Sequence, residues 1–297
     1  MDWSKSLRSN EIPLPPRVAL FGAGRVGTAV TALLQRAGSD VTGVWSRTHD
    51  SATRAGDLLG CPVLGLETAV DADLVIIGAS DQAIAGVAGL VSQVVVAGTV
   101  VAHLSGSLGL ASLTVATEAG ALPLALHPVQ ACPDVVAAIE RLPGSAWGVT
   151  APSEIEAWAH ALVSTMLDGK PVEVAESDRP LWHAACVMTS NGIAALMAFG
   201  ESLLEAIGID RPEDVLGPLA AGTVANARSG GGGAATLTGP VLRGEADTVG
   251  RHLELLGARF PDKAGEYRQV ARLILAAAVM SGRLDAGSAR SLEDTIR

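Results

Sequence analysis

A doubly wound α/β sheet domain followed by an all-helical domain is the fold class predicted here, and three features of the sequence predict it. Apolar runs of strand length alternate with helix-length runs from Arg17 to about Ala175. A glycine turn of pattern GxGxxG joins the first such run to the first helix. After Ala175 the strand-like runs stop and only helical periodicity remains. Such alternation means βαβ units around a parallel sheet, whose strands are apolar on both faces.

Taken in order, residues 1–16 hold Trp3, two basic residues and three prolines but no apolar run, so they read as a flexible leader and not a signal peptide. Residues 17–175 form the predicted sheet domain. Its strands are Val18–Phe21, Val41–Trp45, Leu74–Gly78, Val100–Leu104, Ala121–Leu126, Gly148–Thr150 and Pro171–Val174. Helices fill Val26–Ala37, Ser51–Leu59, Gln82–Ser92, Leu110–Ala119 and Ser153–Met166. Residues 176–297 form the helical domain, with helices over Pro180–Ile207, Pro212–Ala227, Pro240–Leu256 and Ala264–Met280 and a polar tail. Pro180, Pro212 and Pro240 stand near helix starts, where a missing N–H costs nothing. The segment Leu181–Gly200 has no Asp, Glu, Lys or Arg, so it reads as a central, buried helix.

Composition excludes several classes. With 21 basic against 31 acidic residues the net charge is -10, which argues against nucleic acid as the main partner. Gln82–Thr117 lacks charge but is broken by Gly86, Gly89, Gly98, His103 and Gly106, whereas a spanning helix needs about 20 continuous apolar residues. Neither a membrane nor a metal is expected. Cys61, Cys132 and Cys186 stand far apart, outside any metal-ligand spacing, and suit a reducing cytoplasm.

The glycine turn carries the first chemistry. Gly22 permits the tight turn, Gly24 lets the backbone approach a pyrophosphate, and Gly27 lets helix and strand pack closely. Arg25 and Val26 stand at the helix start, where free N–H groups attract phosphate. A strand-end carboxylate for an NAD ribose is missing; Ser46, Arg47 and Thr48 stand there, 24 to 26 positions after Gly22. Two hydroxyls and a guanidinium suit a 2′-phosphate, so NADP(H) is expected over NAD(H). An exposed loop arginine is the competing account of Arg47.

Strand ends supply the remaining candidates. Ser80 is placed to contact the cofactor ribose, and Ser105 lies where nicotinamide and substrate would meet, or simply forms a turn. His127, held extended by Pro128, is either a proton-transfer group or a structural histidine bonded to a carbonyl. His183 and Asn191 are eight residues apart, about 12 Å on a helix, and serve either opposite ends of a substrate or the core. Thr238 as a helix N-cap, with Arg243, would hold a substrate carboxylate; alternatively Arg243 pairs with Glu245 or Asp247 in a plain capping motif.

Gly22–Gly27, Ser105-Gly106-Ser107, His127-Pro128, His183 with Asn191, and Leu237-Thr238-Gly239-Pro240-Val241-Leu242-Arg243-Gly244 together resemble an uncharacterised two-domain oxidoreductase family. Its members pair a Rossmann-like NADP-binding domain with a C-terminal helical domain of unknown function. The wider relatives are pyrroline-5-carboxylate reductase, deazaflavin-dependent NADP reductase, ketopantoate reductase and the 6-phosphogluconate/β-hydroxyacid dehydrogenases. The resemblance implies a homodimer through the helical domain. His127-Pro128 is similar to the His-Pro of prephenate dehydrogenases, with Ser105 in support. The lysine of β-hydroxyacid dehydrogenases has no counterpart, since Val187 stands four residues before Asn191. The expected function is hydride transfer between NADP(H) and a small carboxylate-bearing carbonyl or imine, with His127 or His183 as proton donor and Ser105 and Asn191 orienting the reacting atom. A non-catalytic NADP(H)-binding sensor is the alternative.

Overall fold

In the computed structural model, which describes residues 17–66 and 69–297, the strand β1 (Arg17–Phe21) lies in the sheet interior with Val18 to Phe21 fully buried. The expected leader, residues 1–16, lies outside the described residues. Two compact units divide the chain at Ile193/Ala194.

The first unit is built on a seven-stranded sheet. Its remaining strands are β2 (Asp40–Trp45), β3 (Leu74–Ile77), β4 (Val100–His103), β5 (Leu122–Pro128), β6 (Ala146–Thr150) and β7 (Lys170–Glu173), in the order β2-β1-β3-β4-β5-β6-β7. Strands β1 to β5 run parallel. Helices α1 (Arg25–Arg36), α2 (His49–Leu59), α3 (Asp81–Val91) and α4 (Thr114–Glu118) connect them, so the charge-free stretch Gln82–Thr117 resolves into helix, strand and helix. Two buried clusters, one around Leu20, Leu34 and Trp147 and one around Phe21, Ile77 and Leu113, cover the two faces.

The expectation of a wholly parallel sheet is corrected at β6, which pairs antiparallel to β5 with Ala125 opposite Thr150 and His127 opposite Gly148. The chain leaves β5 and re-enters at the same edge, as Val129 N–H donating to Ala146 O at 2.8 Å shows, so no crossover is needed. Between them lies α5 (Val135–Arg141), which the sequence reading missed; Asp134 caps it by accepting from Ala137 N–H. Helix α6 (Glu156–Ala161) and a π-turn (Leu162–Met166) then lead to β7, parallel to β6.

Helix α7 (Arg179–Glu205) begins in the first unit. It too is corrected: Leu181 is 74% and Met188 61% exposed, while Arg179 is fully buried. By length and composition alone, Glu176–Glu205, with mean hydropathy 1.2, is a helix that could cross a membrane. Its first turns, however, are tied to the sheet through Arg179 and Trp182.

The second unit comprises α8 (Pro212–Ser229), the single turn α9 (Gly233–Thr236), α10 (Ala246–Arg259), α11 (Pro261–Met280) and α12 (Ala286–Ile296). Its core joins Val241, Val249, Leu253, Leu275, Leu292 and their neighbours. Two boundaries differ from expectation. Pro240 lies in a turn and the helix starts at Ala246, because Gly239 (φ +100°) and Gly244 (φ +74°) adopt left-handed backbone that a helix cannot accept. The polar tail is α12, capped by Asp285 and packed through Leu292 and Ile296, too few apolar residues to register as a periodic stripe.

Candidate functional site

The turn between β1 and α1 is set by contacts too close for any side chain. Gly22 has φ +90° and donates its N–H to Trp45 O at 2.7 Å. A Cβ on Gly24 would stand 2.3 Å from Gly78 O, and one on Gly27 would stand 2.6 Å from Gly78 Cα. Gly78, at the end of β3, is itself closed to a side chain by Gly22 O at 2.5 Å. It is the fourth member of the motif, and its signal in the sequence was a glycine just after an apolar run. Helix α1 opens on Gly24 without a side-chain cap or an acidic residue in its first turn, which leaves its first N–H groups free. They border a cavity of about 280 Å³ lined by Gly24, Arg25, Val26, Gly27, Ser80 and Ser105, among others. The Arg25 guanidinium donates to Pro133 O at 2.7 Å.

At the end of β2, Ser46 is half-buried and Arg47 and Thr48 are exposed. Thr48 Oγ1–H donates to Ser51 Oγ at 2.8 Å, and Arg54 Nη2 donates to the same oxygen at 3.2 Å. Arg54, one turn into α2, is a second cation that the sequence reading missed.

The chain after β4 turns around Ser105. Its Oγ accepts from Ser107 N–H at 3.2 Å and Leu108 N–H at 3.1 Å, so it shapes the turn and keeps one O–H to donate. His103 accepts from Ser105 N–H at Nδ1, 3.2 Å, which places its proton on Nε2, 3.1 Å from Gly109 O. Burial, helped by Arg179, pushes the His103 pKa down to about 4, so it is neutral. Ser107 Oγ–H in turn donates to Asp81, at the start of α3.

Arg179 holds this layer together. Its Nη2 donates to Ser105 O at 2.5 Å and its Nη1 to Thr150 Oγ1 at 2.9 Å, and Thr150 Oγ1–H passes on to Val174 O at 2.6 Å. Among the described residues Nε has no partner and no carboxylate lies in ion-pair contact with the guanidinium; burial lowers its pKa to about 10 without discharging it. Such a cation is costly and is held by its hydrogen bonds and by the more distant charges of Glu176 and Asp81.

His127 lies beside it. Its Nδ1 accepts from Trp182 Nε1–H at 3.0 Å, and its ring meets that of His183 edge-on at 5.6 Å. Burial first, then the charges of His183 and Arg179, push the His127 pKa down to about 4 against a weaker pull from Asp81. The structure therefore makes His127 a neutral imidazole and not an imidazolium. A cavity of about 560 Å³ is bordered by His127, Gln130, Trp182, His183, Cys186 and Asn191. Asn191 stands exposed on its wall rather than in a core. Arg179 and Trp182 were in plain sight beside His183, but nothing local marks which strands they reach.

The residues expected to hold a carboxylate lie in the second unit. Thr238 is exposed and caps no helix, since α10 opens on Glu245. Arg243 Nε donates to Glu245 Oε1 at 2.5 Å, the ion pair of the competing account, without the Thr238 cap that went with it. Among the described residues, no group of three or more His, Cys, Asp or Glu could hold a metal ion.

Residues 7–128 match the model of the Rossmann-like domain. The first unit's nucleotide fold is Rossmann-like. Downstream of this Rossmann-like region, residues 145–274 match a domain of unknown function, DUF2520, so that match begins at β6, where the sheet reverses. No curated protein matches the chain. Among solved structures, a Bacteroides fragilis protein described as a candidate NADP oxidoreductase is similar at 23% identity over 88% of this chain and 98% of its own, TM-score 0.72. A Thermotoga maritima protein is similar at 20% identity over 89% and 98%, TM-score 0.70. An imine reductase from Myxococcus stipitatus, solved with NADP+, is similar at 16% identity over 94% and 100%, TM-score 0.60. Likeness at these identities is likeness of fold.

Proposed function

We propose that the chain is an NADP(H)-dependent oxidoreductase acting on a small carbonyl or imine compound. The observation that carries this is the glycine cradle: Gly24, Gly27 and Gly78 leave no room for a Cβ yet border an open cavity at a free helix N-terminus. A pyrophosphate fits that cradle. Gly24 to Gly27 would hold it, Ser80 would meet a ribose, and Ser46, Arg47, Thr48 and Arg54 would hold a 2′-phosphate. The cofactor, when bound, supplies or accepts the hydride. The chain's own residues orient the substrate: Ser105 O–H and the His127 Nε2–H are the donors available to a developing negative charge on oxygen or nitrogen.

His127 is neutral over the physiological range, so its part is to donate a hydrogen bond, with the His183 ring beside it at 5.6 Å. With Arg243 engaged by Glu245, a carboxylate on the substrate has no assigned cation, and the carbonyl or imine reading stands without one. Reduction of imines by the Myxococcus stipitatus neighbour supports that class. The exposed apolar side of α7 fits a second copy of the chain, which gives a homodimer through the helical region. Three free cysteines fit a reducing cytoplasm.

The test is titration with NADPH, followed by NADPH consumption against cyclic imines, ketones and 2-oxo acids. Turnover that is lost in His127→Ala supports the enzyme. Tight binding without turnover shifts the reading to an NADP(H)-binding sensor, and absence of NADPH binding overturns both.

A further inference from the structure

His127 on β5 stands directly opposite Gly148 on the antiparallel strand β6. Opposed residues in such a pair project to the same face, so a side chain at 148 would lie beside the imidazole. Gly148 has none. A Cβ there would stand 2.8 Å from Trp182 Nε1 and Cε2, so the indole occupies the space the glycine leaves. From that position Trp182 Nε1–H donates to His127 Nδ1 at 3.0 Å, with the rings nearly perpendicular at 84°. Indole nitrogen is a donor only, so the atom it meets must be an acceptor. The ring proton of neutral His127 is thereby left on Nε2. That nitrogen lies against Gly106, where a Cβ would stand 2.8 Å from it and 2.5 Å from His183 Cδ2, so a second missing side chain lets both imidazoles pack there.

We infer that Trp182 is a positioning residue: seated on Gly148, it fixes His127 as the Nε2–H tautomer and keeps it uncharged, with Nε2–H as its one ring donor. Protonating Nδ1 would set N–H against N–H, so the indole opposes the charged form as well as selecting the tautomer. The groups facing His127 divide by sign. His183 and Arg179 on α7 oppose a positive ring, and Asp81 on α3 favours one. What His127 then does to a substrate rests on the oxidoreductase reading, but its tautomer and charge do not.

Imidazole ¹⁵N–¹H correlation spectra of the full chain, without ligand, test this, with His127 assigned by loss of its signals in His127→Gln. The expected wild-type result is a single Nε2–H tautomer that does not titrate from about pH 8 to about pH 5. In Trp182→Phe, the expected result is a mixture of tautomers and a titration midpoint raised by about one unit or more. An Nδ1–H tautomer in the wild type, or an unchanged tautomer and midpoint in Trp182→Phe, overturns the inference. The wild-type spectrum decides the tautomer even if the variant fails to fold. NADPH titration on the same sample separates the two readings: a locked tautomer without NADPH binding sinks the oxidoreductase and leaves the role of Trp182 standing.

Discussion

Between Val18 and Phe21 of β1 every side chain is fully buried, whereas in α7, over a stretch equally free of charge, Leu181 and Met188 stand 74% and 61% exposed. The two segments have the same kind of composition and opposite surroundings. A charge-free run states only that its surface will be covered. For β1 the cover is the chain's own, because helices pack on both sides of the sheet. For α7 the chain supplies cover at the first turns and again near the C-terminal end, where Lys263 reaches Ser202 and Phe199 and Leu216 packs by Gly200. The exposed face between them, we propose, is covered by a second copy.

Truncation separates the two cases most sharply. Leu20→Ala removes a fully buried side chain from the sheet interior and is expected to cost about 3 kcal/mol in urea unfolding. Met188→Lys removes nothing from a core. Its expected effect is on mass: analytical ultracentrifugation finds a dimer for the wild type and a single chain for the variant. A dimer of unchanged strength in Met188→Lys would take this face of α7 out of the interface.

The same contrast explains what could be read in advance. Strand and helix periods, together with the Gly22–Gly27 turn, are local, and they place β1 to β5 and their helices within a few residues. The reversal at β6 is not local: Ala146–Thr150 has the same apolar pattern whichever way it runs, and only pairing with β5 sets its direction. The site divides likewise. Gly24 and Gly27 could be found from spacing alone, but Gly78 acquires its role only where β3 passes beneath the turn. His127 stood out by its Pro128 and strand-end position, yet its charge state depends on burial and on His183 and Arg179, and its Nδ1 partner is Trp182, all three more than fifty residues away in sequence. Thr238 misled as an N-cap for the converse reason: a capping pattern is local, and two left-handed glycines cancelled it.

Acid sharpens the comparison from the other side, because the first unit holds one fully buried and one half-buried histidine whose burial favours the neutral ring. His103 and His127 both titrate near 4 in the folded chain against an ordinary value of 6.5. Between those values the unfolded chain binds more protons, so stability is fully present above about pH 6.5 and falls as pH drops toward 4. Each histidine is expected to cost about 2 kcal/mol by about pH 5, measured by urea unfolding at that pH and at neutrality. His103→Gln and His127→Gln should each flatten the slope. An unfolding free energy that is level from pH 7 to 5 in the wild type would mean that neither ring is held neutral.

The smallest expected effect concerns a part of the first unit that is, like α7, left open. Arg47 is exposed at the end of β2, and no carboxylate engages it among the described residues. If it is a plain surface arginine, its removal changes nothing measurable. If it meets a 2′-phosphate, Arg47→Ala weakens NADPH by about tenfold, the size of one lost charge-assisted hydrogen bond, and leaves NADH untouched. The ratio of the two dissociation constants is therefore the quantity to measure, since it cancels any general damage to the Gly22–Gly27 turn. Arg54→Ala should move the same ratio in the same direction by less, because Arg54 already donates to Ser51 Oγ. An unchanged ratio in both variants would leave the glycine cradle as a dinucleotide site and remove the basis for preferring NADP(H).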